Sequence, residues 1–297
     1  MAATKLKFAL FGNEYEMKKS ASIRQVLSCL EKKGAEIYID KSFCNLLSLE
    51  LGCEVHADGV FEGHNFDVDY AISLGGDGTF LRAADRVGAK GIPIIGVNMG
   101  RLGFLADVLP TEIEECIDTI YKKSYKIENH TVIQAEAENY TIESNPNALN
   151  DIAILKRDDA AMISIRVVVN GEFLVTYQAD GLVISTPTGS TAYNLSNGGP
   201  IIVPQSGSIC LTPVAPHSLN IRPIVINDDS VIELSVESRS HNFLVAIDGR
   251  SEKLTEGTKL SIRKAPYAVK IIKLCSKRYF STLREKLMWG ADQRQKE

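Results

Sequence analysis

Several large protein classes are excluded by what the chain lacks. No segment approaches the roughly 18 consecutive apolar residues that a membrane-spanning helix needs, and the amino-terminal apolar run, Phe8 to Phe11, is too short for a signal-peptide core. The cysteines, Cys29, Cys44, Cys53, Cys116, Cys210 and Cys275, form no C-x-x-C pair and adjoin no histidine, so buried free thiols are expected rather than a structural zinc site. His56, His64, His130, His217 and His241 are equally dispersed and are expected at the surface or as satisfied core residues. The net charge is only -4 over 297 residues, with 24% charged and 44% hydrophobic residues, which supports neither a disordered chain nor a nucleic-acid partner. There is no internal repeat and no low-complexity tract. These absences leave the expectation of a soluble cytoplasmic protein with room for two domains.

What the chain does have is Ser73-Leu74-Gly75-Gly76-Asp77-Gly78-Thr79, a tight turn between the apolar run ending at Leu74 and a helix expected to open near Thr79. Glycines remove the Cβ atoms that would hold a ligand away from the backbone. Backbone N–H groups at a helix start favour an anion, and Asp77 would reach the reacting centre. An Asp-Gly turn without chemistry is the competing explanation.

Around this turn the chain alternates. Lys5 to Phe11 reads as a strand ending at Gly12-Asn13, and Ile23, Val26, Leu27 and Leu30 recur at helical spacing before Gly34. Glu36 to Asp40, Val68 to Leu74 and Ile92 to Val97 read as strands, Thr79 to Val87 and Thr111 to Tyr121 as helices, the latter with a Thr111–Glu114 capping box. The pattern predicts parallel strands flanked by helices, with the glycine turn at a strand's carboxyl end, where such sheets bind ligands. A second glycine loop, Asn98 to Leu105, follows the next strand; its Leu102, Phe104 and Leu105 also suit a core plug.

Beyond about Tyr125 short alternating β-rich runs take over: Thr131 to Ala137, Ala148 to Lys156, Ile163 to Asn170, Glu172 to Tyr177 and Gly181 to Ser185. Asn170-Gly171 is a strong hairpin signal. Ser208 to Val214, Pro223 to Ile226, Val231 to Val236, Phe243 to Ile247, Lys259 to Arg263 and Val269 to Lys273 continue the series, with Asp248-Gly249 as another turn. Arg278 to Trp289 reads as an amphipathic helix with Phe280, Leu283 and Leu287 on one face. The expected fold is therefore α/β plus all-β: an α/β domain over residues 1–125, a β-rich domain over 126–275, and a helix and tail over 276–297 returning to the first domain.

Two polar features interrupt the β-rich half. Asn150-Asp151 breaks an apolar strand, and a buried carboxylate there costs several kcal/mol unless paired, which places it at a strand end or in a cleft. Asp180-Gly181 poses the same question, and for each a turn is an alternative. Thr186 to Pro200 is dense in hydroxyls and glycines, suited to ribose and base edges or to capping its own backbone.

Gly75-Gly76-Asp77-Gly78-Thr79, Asn98 to Leu105, Asn150-Asp151 and Thr186-Pro187-Thr188-Gly189-Ser190-Thr191-Ala192-Tyr193 together resemble the bacterial NAD kinase family, in this order and over nearly the whole chain. The Gly-Gly-Asp-Gly-Thr turn alone is shared with lipid kinases and phosphofructokinases; the hydroxyl-rich string is far more specific. The resemblance implies phosphoryl transfer from ATP, or polyphosphate, to the 2′-hydroxyl of the adenosine ribose of NAD, with Mg²⁺ or another divalent cation, in a homo-oligomer (dimer or tetramer). It implies Asp77 as proton acceptor, or alternatively as a metal ligand, with Gly78 beside the nucleotide and Arg82 meeting phosphate. Asn150 and Asp151 would bind NAD hydroxyls, Asp180 would lie on the nicotinamide side, and Thr191, Ala192, Tyr193, Asn194, Leu195 and Ser196 would enclose the adenine and its ribose. Family members often carry histidine at Ala161, arginine at Gln178 and glutamine at Arg250, departures that alter the charge around the pyrophosphate. A lipid kinase and a catalytically silent dinucleotide sensor are the alternatives.

Overall fold

In a computed structural model, which describes residues 5–12, 20–51, 56–100, 103–157, 161–274 and 279–290, alternation of strand and helix governs the amino-terminal half. Asn13, Cys53, Arg101, Leu102, Cys275, Arg278 and the tail beyond Gly290 lie outside the described residues. The chain divides into two units, Met1–Glu128 with Val269–Glu297, and Asn129–Ala268.

The first unit runs β1 (Lys7–Gly12), α1 (Ser20–Lys32), β2 (Glu36–Asp40), α2 (Lys41–Leu51), β3 (Gly59–Phe61), β4 (Tyr70–Gly75), α3 (Asp77–Val87), β5 (Ile94–Asn98) and α4 (Ile113–Tyr121). Its strands lie in the order β5-β4-β1-β2-β3, every pair parallel. All positions of β4 and β5 are buried, as central parallel strands covered on both faces require. Ile23, Val26 and Leu30 of α1 and Ile113, Ile117 and Ile120 of α4 pack with Phe8, Leu10, Ile72 and Val97 of the sheet. The core thus holds the carboxyl end of β4, where the glycine turn emerges.

Two helix starts differ from expectation. α3 opens at Asp77 rather than near Thr79, because Gly76 is already the extended N-cap residue at φ -91° and ψ -169°. The carboxylate therefore sits in the first turn, where the helix dipole favours an anion. Ahead of α4, a 3₁₀ turn over Pro110–Glu112 brings Glu112 Oε2 back to accept the Leu109 N–H at 2.8 Å. Glu112 on Leu109, and not Glu114 on Thr111, is the reach-back pair, since Pro110 starts the turn earlier.

The chain enters the second unit along β6 (Lys126–Ala137) and continues through β7 (Asn147–Ala148), β8 (Asp151–Lys156), β9 (Ile163–Val169), β10 (Glu172–Ala179), β11 (Gly181–Ser185), α5 (Tyr193–Ser196), β12 (Ser208–Val214), β13 (Ile224–Asn227), β14 (Ile232–Glu237), β15 (Asn242–Ile247) and β16 (Arg250–Thr255). β17 (Leu260–Lys273) ends in the first unit, where Ile271 pairs with Ile94 of β5 and α6 (Tyr279–Leu287) follows. One antiparallel sheet has the order β13-β12-β11-β8-β15-β16, and β10, β9, β14 and the start of β17 form another antiparallel set. Ile152, Ile154, Ile184 and Leu211 from the former meet Ile165, Val167, Leu234 and Val236 from the latter in one core. Asn170-Gly171 and Asp248-Gly249 adopt positive φ at both residues and close the β9–β10 and β15–β16 hairpins.

Two expectations change here. The runs at Lys259 to Arg263 and Val269 to Lys273 belong to one strand, because Ala265-Pro266-Tyr267 stays extended between them. In α6 Phe280 is 58% exposed, and Thr282 and Leu283 are the buried residues. The inward face carries Tyr279, Thr282 and Leu283, with Leu287 half-buried beside them, because Tyr279 packs 6.3 Å from the Phe104 ring; Lys286 reaches Asp77 from the exposed edge of this face.

Candidate active site

Asp77 has every acceptor position of its carboxylate engaged. Oδ1 accepts the N–H groups of Leu105 at 3.0 Å and Ala106 at 3.1 Å. Oδ2 accepts the N–H of Phe104 at 3.0 Å and the ammonium of Lys286 at 3.1 Å. Gly103 makes this possible, since a Cβ there would run into Asp77 Oδ1. Gly96 lets the same loop lie on β5, against Ala106 and Leu105. Burial alone would push the Asp77 carboxyl up; the Lys286 charge and the three backbone donors outweigh it and hold the carboxyl below the usual range. The side chain is nonetheless 29% exposed, and Gly78 beside it faces solvent, so a ligand can reach both.

Arg82, one turn along α3, donates to the Gly12 carbonyl at 2.9 Å. With Arg86, Asp40 and Ser42 it lines a cleft of about 50 Å³ at the carboxyl ends of β1 and β2.

In the second unit a buried carboxylate that sequence reasoning treated only as part of a turn organises the Asn150-Asp151 pair. Asp248 Oδ1 accepts the N–H groups of Asn150 at 2.8 Å and Asp151 at 3.2 Å, and Oδ2 that of Leu149 at 2.8 Å. Its own N–H returns a bond to the Asp151 carbonyl at 3.0 Å. The hydroxyl-rich string is tied to the same backbone: Thr186 N–H donates to the Asn150 carbonyl at 2.9 Å, and the Thr186 hydroxyl to the Leu149 carbonyl at 2.5 Å. A Cβ on Gly189 would run into the Asn150 backbone. Asn194 is fully buried, donating to the Ser190 and Pro200 carbonyls and accepting the Thr212 hydroxyl at 2.6 Å. Thr191, Ala192 and Leu195 are half-buried, while Tyr193 and Ser196 are exposed, leaving an open edge beside a rigid base.

Asp151 is 7% exposed, and among the described residues no cation lies against it. Burial first, and then the Asp248 charge, push its carboxyl up to about 7. Asp248 is also raised by burial, against the pull of its three N–H donors and of Arg250. The Arg250 guanidinium donates to the carbonyls of Asn145 and Asn147, the latter at 3.0 Å. Its charge is thereby spent on this loop and on Asp248.

The remaining expected residues gather elsewhere. Asp180 pairs with Lys156 at 2.9 Å and, with Ala161, Ser164 and Gln178, lines an open cavity of about 710 Å³. Asp180 precedes β11 and Thr186 follows it, so this cavity and the Asn150-Asp151 cluster lie at opposite ends of a five-residue strand. That separation is about 17 Å at the usual strand rise.

Among the described residues no three His, Cys, Asp or Glu side chains converge on a cation position. Asp77 offers a single carboxylate that is already engaged, so the described side chains do not form a metal cage around it. Among the described cysteines Cys29, Cys116 and Cys210 are free and buried, as expected, whereas Cys44 is free but only half-buried. His130 is buried against the Thr188 hydroxyl at 2.8 Å. Lys286 and Asp248 are the site residues that sequence reasoning missed. Lys286 lies seven residues after Tyr279, on the same face of α6, and that spacing was the available signal.

A glycine turn that opens a helix at the carboxyl end of a parallel strand, carrying a buried carboxylate, defines a phosphate-handling α/β protein. Comparison with known proteins narrows the class. Residues 8–125 match the model of the ATP-NAD kinase N-terminal domain, and residues 149–274 that of the ATP-NAD kinase C-terminal domain. The chain is 58% identical over 289 residues to the NAD kinase of Bacteroides fragilis, covering 97% of this chain and 100% of that protein. It is 43% identical over 286 residues to the NAD kinase of Porphyromonas gingivalis, covering 96% and 98%. The chain belongs to the NAD kinase family, and the lipid-kinase alternative is set aside.

Two solved structures share the fold. Yeast NADH kinase complexed with NADH aligns with a TM-score of 0.86 at 21% identity, covering 99% of this chain and 90% of that one. An NAD kinase from Archaeoglobus fulgidus in complex with ATP aligns at 0.75 and 24%, covering 94% and 99%. No helix among the described residues is long and apolar enough to cross a membrane.

Proposed function

We propose that the protein transfers the γ-phosphoryl group of ATP to the 2′-hydroxyl of the adenosine ribose of NAD, giving NADP and ADP. The observation that carries this reading is 58% identity over nearly the whole chain to an NAD kinase, with the carboxylate at position 77 intact. The ribose hydroxyl gives its proton to Asp77 Oδ2, its oxygen bonds to the γ-phosphorus, and the bond to the bridging oxygen breaks with its electron pair leaving on ADP. A carboxylate held below its usual range is a weak base. Proton transfer therefore comes late, once the forming P–O bond has acidified the hydroxyl, in keeping with a loose transition state. Alignment does most of the remaining work.

Gly78 and the α3 start receive phosphate, and Arg82 gives a second positive group. Asn150 and Asp151 take the ribose hydroxyls, and Thr191 through Ser196 flank the adenine and its ribose. The rigidity that Asp248 gives the Leu149 to Asp151 backbone supports this assignment. Asp180, Ala161 and Arg250 belong to the nicotinamide and pyrophosphate side in this reading. A divalent cation such as Mg²⁺ would be held mainly by the donor phosphates and would supply charge neutralisation for the transferring phosphoryl group. The buried free thiols support a reducing, cytoplasmic setting. A homo-oligomer, dimer or tetramer, is expected, and light scattering in solution reads its size.

The test is NADP formation by purified protein with NAD, Mg²⁺ and either ATP or polyphosphate. Turnover with ATP supports the reading. Tight NAD binding without turnover on either donor contradicts it and favours a silent sensor.

A further inference from the structure

Four hydrogen-bond donors fill the four acceptor positions of the Asp77 carboxylate, and three of them are backbone N–H groups of one loop. An ionised carboxylate has about four such positions. A substrate hydroxyl that is to give its proton to Asp77 must take one of them. The loop donors are fixed: Gly103 is packed against Asp77, and Gly96 against Ala106. Lys286 is different, since its ammonium stands at the end of a flexible side chain that is 31% exposed. It is held there by two weak partners, Asp77 Oδ2 at 3.1 Å and the face of the Phe104 ring at 4.4 Å. The helix that carries it is anchored independently through Tyr279 on Phe104 and through buried Thr282 and Leu283. Lys286 can therefore move without undocking α6.

We propose that Lys286 is a positioning residue that occupies the place of the acceptor hydroxyl on Asp77, and that the ribose 2′-hydroxyl displaces its ammonium from Oδ2 as NAD binds. Until NAD arrives, the ammonium keeps the carboxylate ionised and aligned. When the hydroxyl replaces it, the positive charge is released beside the carboxylate, where the donor phosphates need it. This inference rests on the assignment of Asp77 as acceptor of the hydroxyl proton.

The test compares the affinity of wild type and Lys286→Met for NAD and for an NAD analogue whose adenosine ribose lacks the 2′-hydroxyl, by calorimetry without donor. NAD must displace the ammonium; the deoxy analogue has nothing to put in its place. Lys286→Met is expected to tighten NAD about two- to fivefold, the worth of a partly exposed ion pair, and to leave the deoxy analogue unchanged. Equal changes for both ligands show a merely structural role and overturn the proposal, as does no change for NAD. Thermal unfolding checks that the variant folds, and Lys286→Gln replaces it if it does not. Wild-type NADP formation is measured alongside. Its absence refutes the kinase reading and this proposal with it, whereas turnover with an unselective effect of Lys286→Met refutes this proposal alone.

Discussion

Replacing Asp151 by Asn removes a buried ionisable group while keeping its shape, and its effect on stability has a definite sign at each pH. The carboxyl is raised from 3.8 to about 7 by burial and by the Asp248 charge, with 7% of the residue exposed. In the unfolded chain it titrates at its ordinary value. Between those two values the native protein retains a proton that the unfolded chain has released, so wild-type stability falls as pH rises, and above about 7 the loss is complete. A gap of about three pH units at about 1.4 kcal/mol each makes the full loss about 4 kcal/mol. Asn carries no such cost. Asp151→Asn is therefore expected to match wild type within about 1 kcal/mol at pH 4 and to exceed it by about 3–4 kcal/mol at pH 8. Urea unfolding of the NAD-free protein at several pH values measures the difference directly. Parallel stability curves across that range refute the reasoning, because they mean Asp151 is not buried without a compensating charge.

Three further outcomes follow from the same geometry. Asp248→Ala strips three backbone N–H groups of a charged acceptor and is expected to cost about 3–5 kcal/mol in urea unfolding, with NAD affinity falling as the Leu149 to Asp151 backbone loosens. Gly189→Ala drives a methyl group into the Asn150 backbone and is expected to weaken NAD binding about tenfold or more in calorimetry, whereas Gly171→Ala, where nothing lies near the added carbon, costs only backbone strain at φ +81° and leaves NAD affinity unchanged. Gly103→Ala displaces the loop that holds Asp77 and is expected to lower kcat about tenfold or more in steady-state assays, as small misplacements of catalytic groups do.

Much of the fold is written in local pattern. The apolar runs of β1, β4 and β5 and the spacing of Ile23, Val26 and Leu30 in α1 are strong signals because these elements are buried on one or both faces. Asn170-Gly171 is readable because both residues need positive φ. Other features depend on partners far along the chain. The face α6 turns inward is set by the packing of Tyr279 on Phe104, about 175 residues earlier, and its own apolar pattern points to Phe280 instead. Asp248 looks like an ordinary turn residue until the backbone of Leu149 to Asp151 is laid against it. Asp77 is conspicuous in its glycine turn, yet nothing local reveals that Phe104, Leu105, Ala106 and Lys286 would saturate its carboxylate. The motifs name the chemistry, and the long-range contacts decide how the groups are held.

The measurement that bears most directly on the central claim is single-turnover conversion of NAD to NADP by wild type and Asp77→Asn at saturating ATP and Mg²⁺, with unfolding of both proteins measured in parallel. Asn cannot accept the hydroxyl proton and turns an amide toward one of the loop N–H groups, so a loss of about a hundredfold or more in rate is expected, in a protein that remains folded. A folded variant that forms NADP at the wild-type rate would contradict the role given to Asp77, and with it the reading of the glycine turn as the place where the phosphoryl group is transferred.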